Sequence, residues 1–165
     1  MTRYVQRALE SHLAQASRQF PAVLVTGPRQ VGKTTLLRHA AEPERRYVSL
    51  DDPLLRELAT ADPRLLLDRF PPPVLIDEIQ YAPGLLPYLK MRIDAERTPG
   101  GFWMTGSQQF QMMRGVTETL AGRIAVIQLL GLSLREQQQR ADTPAFLPPS
   151  YRIRKSSPSG GSCRA

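Results

Sequence analysis

The chain has 165 residues, 41% of them hydrophobic, which is room for one domain with a core of its own and the composition of an ordinary soluble globular protein. No apolar run approaches the roughly 20 residues of a membrane helix, the first residues lack a signal peptide's apolar centre, and the lone cysteine, Cys163, cannot form an internal disulfide, so a cytoplasmic protein without membrane contact is expected. The net charge of +7 divides into +4 from residue 140 onward and +3 before it, so the body carries a mixed, solvated surface and charge alone does not establish a nucleic-acid partner.

Tyr4, Val5, Ala8, Leu9, Leu13 and Ala16 recur at helical spacing and predict an amphipathic helix over residues 3–17. After Pro21, the apolar run Ala22-Val23-Leu24-Val25-Thr26 reads as a strand, and residues 36–40 read as a helix. Between them lies Gly27, Pro28, Arg29, Gln30, Val31, Gly32, Lys33, Thr34 and Thr35, which matches G-x-x-x-x-G-K-[ST]. In that pattern backbone N–H groups cradle phosphates, the lysine reaches the terminal phosphates and the hydroxyl faces Mg²⁺. Gly27 and Gly32 supply the unusual backbone angles, Lys33 sits where a helix N-terminus favours anions, and Thr34 is the expected metal-side hydroxyl. A nucleoside triphosphate site is therefore expected over residues 27–35.

Residues 46–50 form a short apolar-rich run that predicts a second strand ending in Asp51-Asp52-Pro53. Two short helices are expected over 54–59 and 64–70, each preceded by an Asp-Pro able to cap it. Val74-Leu75-Ile76-Asp77-Glu78 predicts a buried parallel strand with two carboxylates at its carboxyl end, where α/β sheets place function. Asp77 is assigned to the metal and Glu78 to the attacking water. A helix over 83–97 leads to a fourth strand at 102–105, which delivers Gly106-Ser107-Gln108 to the same edge. There Ser107 is the first choice for a residue sensing the terminal phosphate, Thr105 and Gln108 the weaker ones, and a simple helix cap at Ser107 the competing reading. Residues 109–121 read as helical in parts with a break at Gly115, and residues 124–129 as a fifth strand. Arg123, just before it, is either a cation for γ-phosphate charge, in its own or a neighbouring subunit, or an ordinary salt-bridging arginine. His12 and His39 read as surface residues. From Ala141 the composition turns to Pro, Ser, Gly and Arg, and a disordered tail over 140–165 is expected.

About five strands alternating with helices predict an α/β fold, a three-layer αβα sandwich around a parallel sheet. With the phosphate loop, Tyr47-Val48-Ser49-Leu50-Asp51-Asp52, Ile76-Asp77-Glu78-Ile79-Gln80, Thr105-Gly106-Ser107-Gln108 and Leu120-Ala121-Gly122-Arg123 in place, residues 1–139 resemble the AAA-type ATP-binding proteins of bacteria and archaea, whose ATPase domain is usually followed by a C-terminal domain. The resemblance implies an AAA+ P-loop NTPase core with the first strand central, Walker A at 27–34, Walker B ending at Asp77 and Glu78, and ATP and Mg²⁺ as ligands. It also implies a following domain, in whose place the low-complexity tail stands, so a truncated or frameshifted end is expected. The function expected is ATP binding with Mg²⁺-dependent hydrolysis. The catalytic set is Glu78, Lys33, Ser107 and Arg123, and the output goes to a protein partner or a second copy of the chain. A nucleotide-dependent switch without enzymatic output and a small P-loop kinase are the rival readings.

Overall fold

Five consecutive residues of the first strand, from Ala22 to Thr26, are fully buried, so both faces of that strand must be covered. In the computed structural model, which describes residues 4–107, 115–116 and 118–141, helices cover them. The elements are α1 (Glu10–Gln19), β1 (Ala22–Thr26), α2 (Lys33–Ala40), β2 (Arg46–Ser49), α3 (Pro53–Ala61), α4 (Pro63–Arg69), β3 (Val74–Asp77), α5 (Leu86–Glu96), β4 (Phe102–Gly106), β5 (Ile124–Gln128) and α6 (Leu134–Gln137). Single 3₁₀ turns at Ile79–Tyr81 and Pro83–Leu85 join β3 to α5.

The five strands form one sheet in the order β2-β3-β4-β1-β5, and every pairing is parallel. Parallel pairing brings all five carboxyl ends to one edge, so chemistry from distant parts of the sequence converges there. The alternation of the strands sorts the core into two layers. Ala22, Leu24, Val74, Ile76, Phe102 and Met104 face one way, against Leu66 and Leu67 of α4 and Leu89 and Ile93 of α5. Val23, Val25, Leu75 and Trp103 face the other, against Leu13 of α1 and Leu36 and Leu37 of α2. This is the expected three-layer αβα sandwich. β1 is an interior strand, but the middle of the five is β4, which replaces the expectation of a central first strand.

Both Asp-Pro punctuations start helices. The carboxylate of Asp52 accepts from the Leu54 amide and that of Asp62 from the Leu65 amide, each at 2.9 Å, with Pro53 and Pro63 in the first turn. Elsewhere the boundaries move. The N-terminal helix begins at Glu10 rather than residue 3 because its approach is committed to tertiary contacts. Tyr4 stacks on His39 with ring centroids 3.7 Å apart, and the Glu10 carboxylate accepts from the Arg7 amide and the Tyr4 hydroxyl at 2.9 and 2.7 Å. The third strand stops at Asp77 because Glu78 is left-handed, with φ of 60°. Residues 83–97 begin as a 3₁₀ turn before α5, with Pro87 tolerated in the first turn. Gly115, expected as a break, is itself helical. Residues 142–165, including the expected tail and Cys163, and Gln108 lie outside the described residues. Along the edge strand, Val126 and then Leu130, Leu132 and Leu134 are exposed.

Candidate functional site

The loop after β1 cannot be built with an ordinary residue at its first glycine. Gly27 has φ of 151°, and a Cβ there would stand 2.1 Å from the backbone oxygen of Leu129. The close approach of the loop to the chain leaving β5 thus depends on a missing side chain. Gly32, with φ of 92°, then turns the chain into α2, so the free amides of that helix's first turn open toward the sheet edge.

Lys33 is buried, 5% exposed, and its Nζ donates to the carbonyl oxygens of Gly27 and Pro28 at 3.1 and 2.9 Å. These partners carry no charge, so among the described residues the buried ammonium is met only by carbonyl dipoles. Arg29, Gln30, Gly32, Lys33, Thr34, Thr35, Asp51, Glu78 and Tyr81 line a cavity of about 460 Å³.

Asp77 ends β3 beside the start of α2, and three hydroxyls meet its carboxylate. Thr34 Oγ1 donates to Oδ1 at 2.8 Å, Tyr47 Oη donates to Oδ2 at 2.9 Å, and Thr105 Oγ1 also donates to Oδ1. Partial burial, and then the Asp77 carboxylate, push the Tyr47 phenol above its ordinary range. Thr34 and Asp77, the two residues assigned to a metal, therefore stand side by side as the hard oxygen donors Mg²⁺ prefers. With an uncompensated lysine and a helix N-terminus alongside, the donor set fits a magnesium-bound polyphosphate.

Glu78 lines the same cavity in a left-handed conformation uncommon for a residue with a side chain. Its amide donates to Thr105 Oγ1 at 2.9 Å, and its carboxylate accepts from the Gln80 side-chain amide. Ser107 comes near through its backbone, its amide donating to Gln80 Oε1 at 3.1 Å, while its buried hydroxyl has no hydrogen-bond partner among the described residues. At the end of β4, then, Thr105 touches Asp77 and Ser107 reaches Gln80.

Arg123 is not brought to this edge. It precedes β5, whose first residue pairs with Ala22 at the start of β1, so it lies at the amino-terminal end of the sheet. There its Nε and a terminal nitrogen donate to the two oxygens of Asp94 at 2.5 and 3.0 Å, which holds the Asp94 carboxyl below its ordinary range. Within one chain it behaves as the salt-bridging arginine of the competing reading.

A second hollow of about 550 Å³ adjoins the loop and shares Gln30, Gly32 and Thr35 with the first. Tyr4, Val5, Arg7, Gly131 and Leu132 complete its wall. The Arg7 guanidinium fastens this wall: it donates to the Val31 carbonyl of the loop at 2.9 Å, to the Leu130 carbonyl at 2.6 Å and to Glu136 Oε1 at 3.0 Å. Tyr47, Gln80, Arg7 and Glu136 were not singled out from the sequence as site residues. Tyr47 and Gln80 carried a signal in that both stand in segments that bear the family resemblance.

The family model of an AAA domain matches residues 19–138. The chain belongs to this AAA domain family, a family of P-loop nucleotide-binding ATPases. It is 34% identical over 155 residues to the uncharacterized proteins Mb2031c of Mycobacterium bovis and Rv2008c of Mycobacterium tuberculosis, matching 90% of this chain and 35% of each relative. The chain thus spans about a third of the length of these curated relatives. Among solved structures it is similar to the crystal structure of Saccharomyces cerevisiae RIF2, with a TM-score of 0.42 and 9% identity over 81% of this chain and 58% of that one, a likeness too slight to carry an argument. Among the described residues no helix is long and apolar enough to cross a membrane.

Proposed function

We propose that the chain binds ATP with Mg²⁺ at residues 27–35 and hydrolyses it, using the energy to drive or gate a protein partner. The observation that carries this reading is the meeting of Lys33, Thr34 and Glu78 around one cavity at the glycine loop, with Asp77 hydrogen-bonded to Thr34 beside it. In it Lys33 and the α2 amides hold the β- and γ-phosphates, and Thr34 and Asp77 hold the metal. Glu78 orients the attacking water and takes its proton. Bound Mg²⁺ would supply charge neutralisation at the phosphate oxygens. The hollow behind Tyr4, Val5, Gly131 and Leu132 takes the nucleoside end, since it is continuous with the loop and more apolar. Residues 1–139 form the working domain and 140–165 a tail, in a cytoplasmic setting.

Arg123's distance from its own chain's site favours a second reading, in which the lone chain binds nucleotide as a switch and hydrolyses it well only beside a second copy or partner that completes the charge. One experiment separates these readings. MgATP binding is measured calorimetrically and phosphate release is followed across protein concentration. Turnover per chain independent of concentration supports the self-contained ATPase, whereas turnover rising with concentration supports completion in trans. Failure of MgATP to bind overturns both.

A further inference from the structure

Glu78 is tied to the end of β4 twice. Its backbone amide donates to Thr105 Oγ1 at 2.9 Å, and its carboxylate accepts from the Gln80 amide, whose oxygen in turn accepts from the Ser107 amide at 3.1 Å. The chemistry fixes the carboxamide's orientation: a carboxylate only accepts and a backbone N–H only donates, so the nitrogen must face Glu78 and the oxygen Ser107. Gln80 belongs to the 3₁₀ turn Ile79–Tyr81, which opens directly from Glu78. The neighbour Ile79 is buried, which anchors that turn in the core. A glutamine here thus meets two demands at once that neither a carboxylate, which only accepts, nor an ammonium, which only donates, can meet.

We propose that Gln80 is the positioning residue for Glu78, and that it couples the aim of the carboxylate to the end of β4. The proposal rests on the ATPase reading above and adds to it a route by which the site is set. Any displacement of residues 105–107 moves both ends of the Glu78 tether together, because Thr105 holds the backbone and Ser107, through Gln80, holds the side chain. A shift of about 1 Å in a general base is enough to cost on the order of a hundredfold in rate, so movements at this strand end become changes in hydrolysis rather than in binding.

The test uses the full chain and the variants Q80A, E78A, E78Q and E78Q/Q80A. In nucleotide-free protein, the side-chain amide signals of Gln80, assigned by their loss in Q80A, are expected to move in the nitrogen–proton spectrum of E78A. With MgATP, Q80A is expected to lower kcat by about tenfold to a hundredfold and to leave the nucleotide Kd and the thermal midpoint unchanged, while E78Q/Q80A matches E78Q, since Gln80 acts only through that carboxylate. Wild-type kcat in Q80A, a parallel loss of affinity, additive losses in the double variant, or Gln80 amide signals indifferent to E78A each overturn the proposal. If the wild type hydrolyses ATP and Q80A does so equally, this inference alone falls. If the wild type binds MgATP and releases no phosphate at any protein concentration, the ATPase reading falls and takes this inference with it.

Discussion

Replacing Glu136 by glutamine should strongly destabilise the domain. The Arg7 and Glu136 side chains are each 6% exposed, and the carboxylate accepts four hydrogen bonds, one of them from the guanidinium of the ion pair. Oε1 takes the Arg7 guanidinium and the Ala8 amide at 3.0 and 2.9 Å, and Oε2 takes the Ser133 amide and hydroxyl at 2.7 and 2.9 Å. A carboxamide serves one of these sets and turns a donor against the other, and it leaves the guanidinium buried without its countercharge. Breaking a buried pair this way costs about 3–5 kcal/mol, a large part of the 5–15 kcal/mol expected for a whole domain.

The same carboxylate supplies an independent check. Burial alone would raise the Glu136 carboxyl, but the Ser133 and Ala8 amides, the Arg7 guanidinium and the Ser133 hydroxyl outweigh it and lower it from 4.5 to about 2. A folded value below the unfolded one means stability that is complete above about pH 4.5 and is lost as the pH falls toward 2, in all about 3 kcal/mol at 1.36 kcal/mol per unit. Urea unfolding at pH 7 should show the loss in E136Q at unchanged denaturant slope. Between pH 4.5 and 2.5 the wild type should then lose stability more steeply than E136Q. A variant within 1 kcal/mol of wild type at pH 7, or parallel acid limbs, would refute the argument. Arg7→Met combined with Glu136→Leu should recover much of what either single change loses, because the charge and its partner then leave together.

Thermal unfolding with MgATP at a hundredfold excess over Kd should raise wild-type stability by about 2.7 kcal/mol, and Lys33→Ala should abolish that rise; an equal rise in the variant would place the phosphates elsewhere. Glu78→Gln should keep nucleotide affinity and lower phosphate release by about 10²–10⁴-fold, so unchanged turnover would remove Glu78 from the water-activating role. Gly27→Ala should lose at least about 1–3 kcal/mol from its backbone angle alone, with the contact at Leu129 O added to it; a urea midpoint equal to wild type would contradict the geometry. Asp62→Ala should lose about 1 kcal/mol of stability, read in the same way, because the Leu65 amide then has no side-chain acceptor at the start of α4.

What could be read from the chain was what periodicity and punctuation encode locally. The run Ala22-Val23-Leu24-Val25-Thr26 before Gly27 reads as a buried strand, and Asp52-Pro53 and Asp62-Pro63 mark helix starts with a cap and a fixed φ in adjacent positions. The motif loop announced Lys33, Thr34 and, through the next apolar strand, Asp77 and Glu78. What stayed hidden depended on register and on pairs far apart in sequence. Leu75 lies opposite Trp103 and Ile76 opposite Met104, so the next position in line with Asp77 is Thr105. Leu75 and Trp103 face the layer that holds α2, so Asp77 and Thr105, each two residues further on, face it as well and reach Thr34 at its first turn. Tyr47 pairs with Leu75 on the same face, which sends its hydroxyl to the same carboxylate. Register sets Thr105 beside Asp77, whereas Ser107, two places on and past the end of β4, meets Gln80 through its backbone amide. Arg7 and Glu136, 129 positions apart, carry no mark of their pairing: Ser133 and Glu136 have the spacing of a helix-capping pair, but nothing ties that carboxylate to Arg7 until the topology closes them over the phosphate loop. The same closure sets Arg123 away from its own chain's site: it precedes β5, and a parallel strand that starts at one edge of the sheet delivers its function at the other.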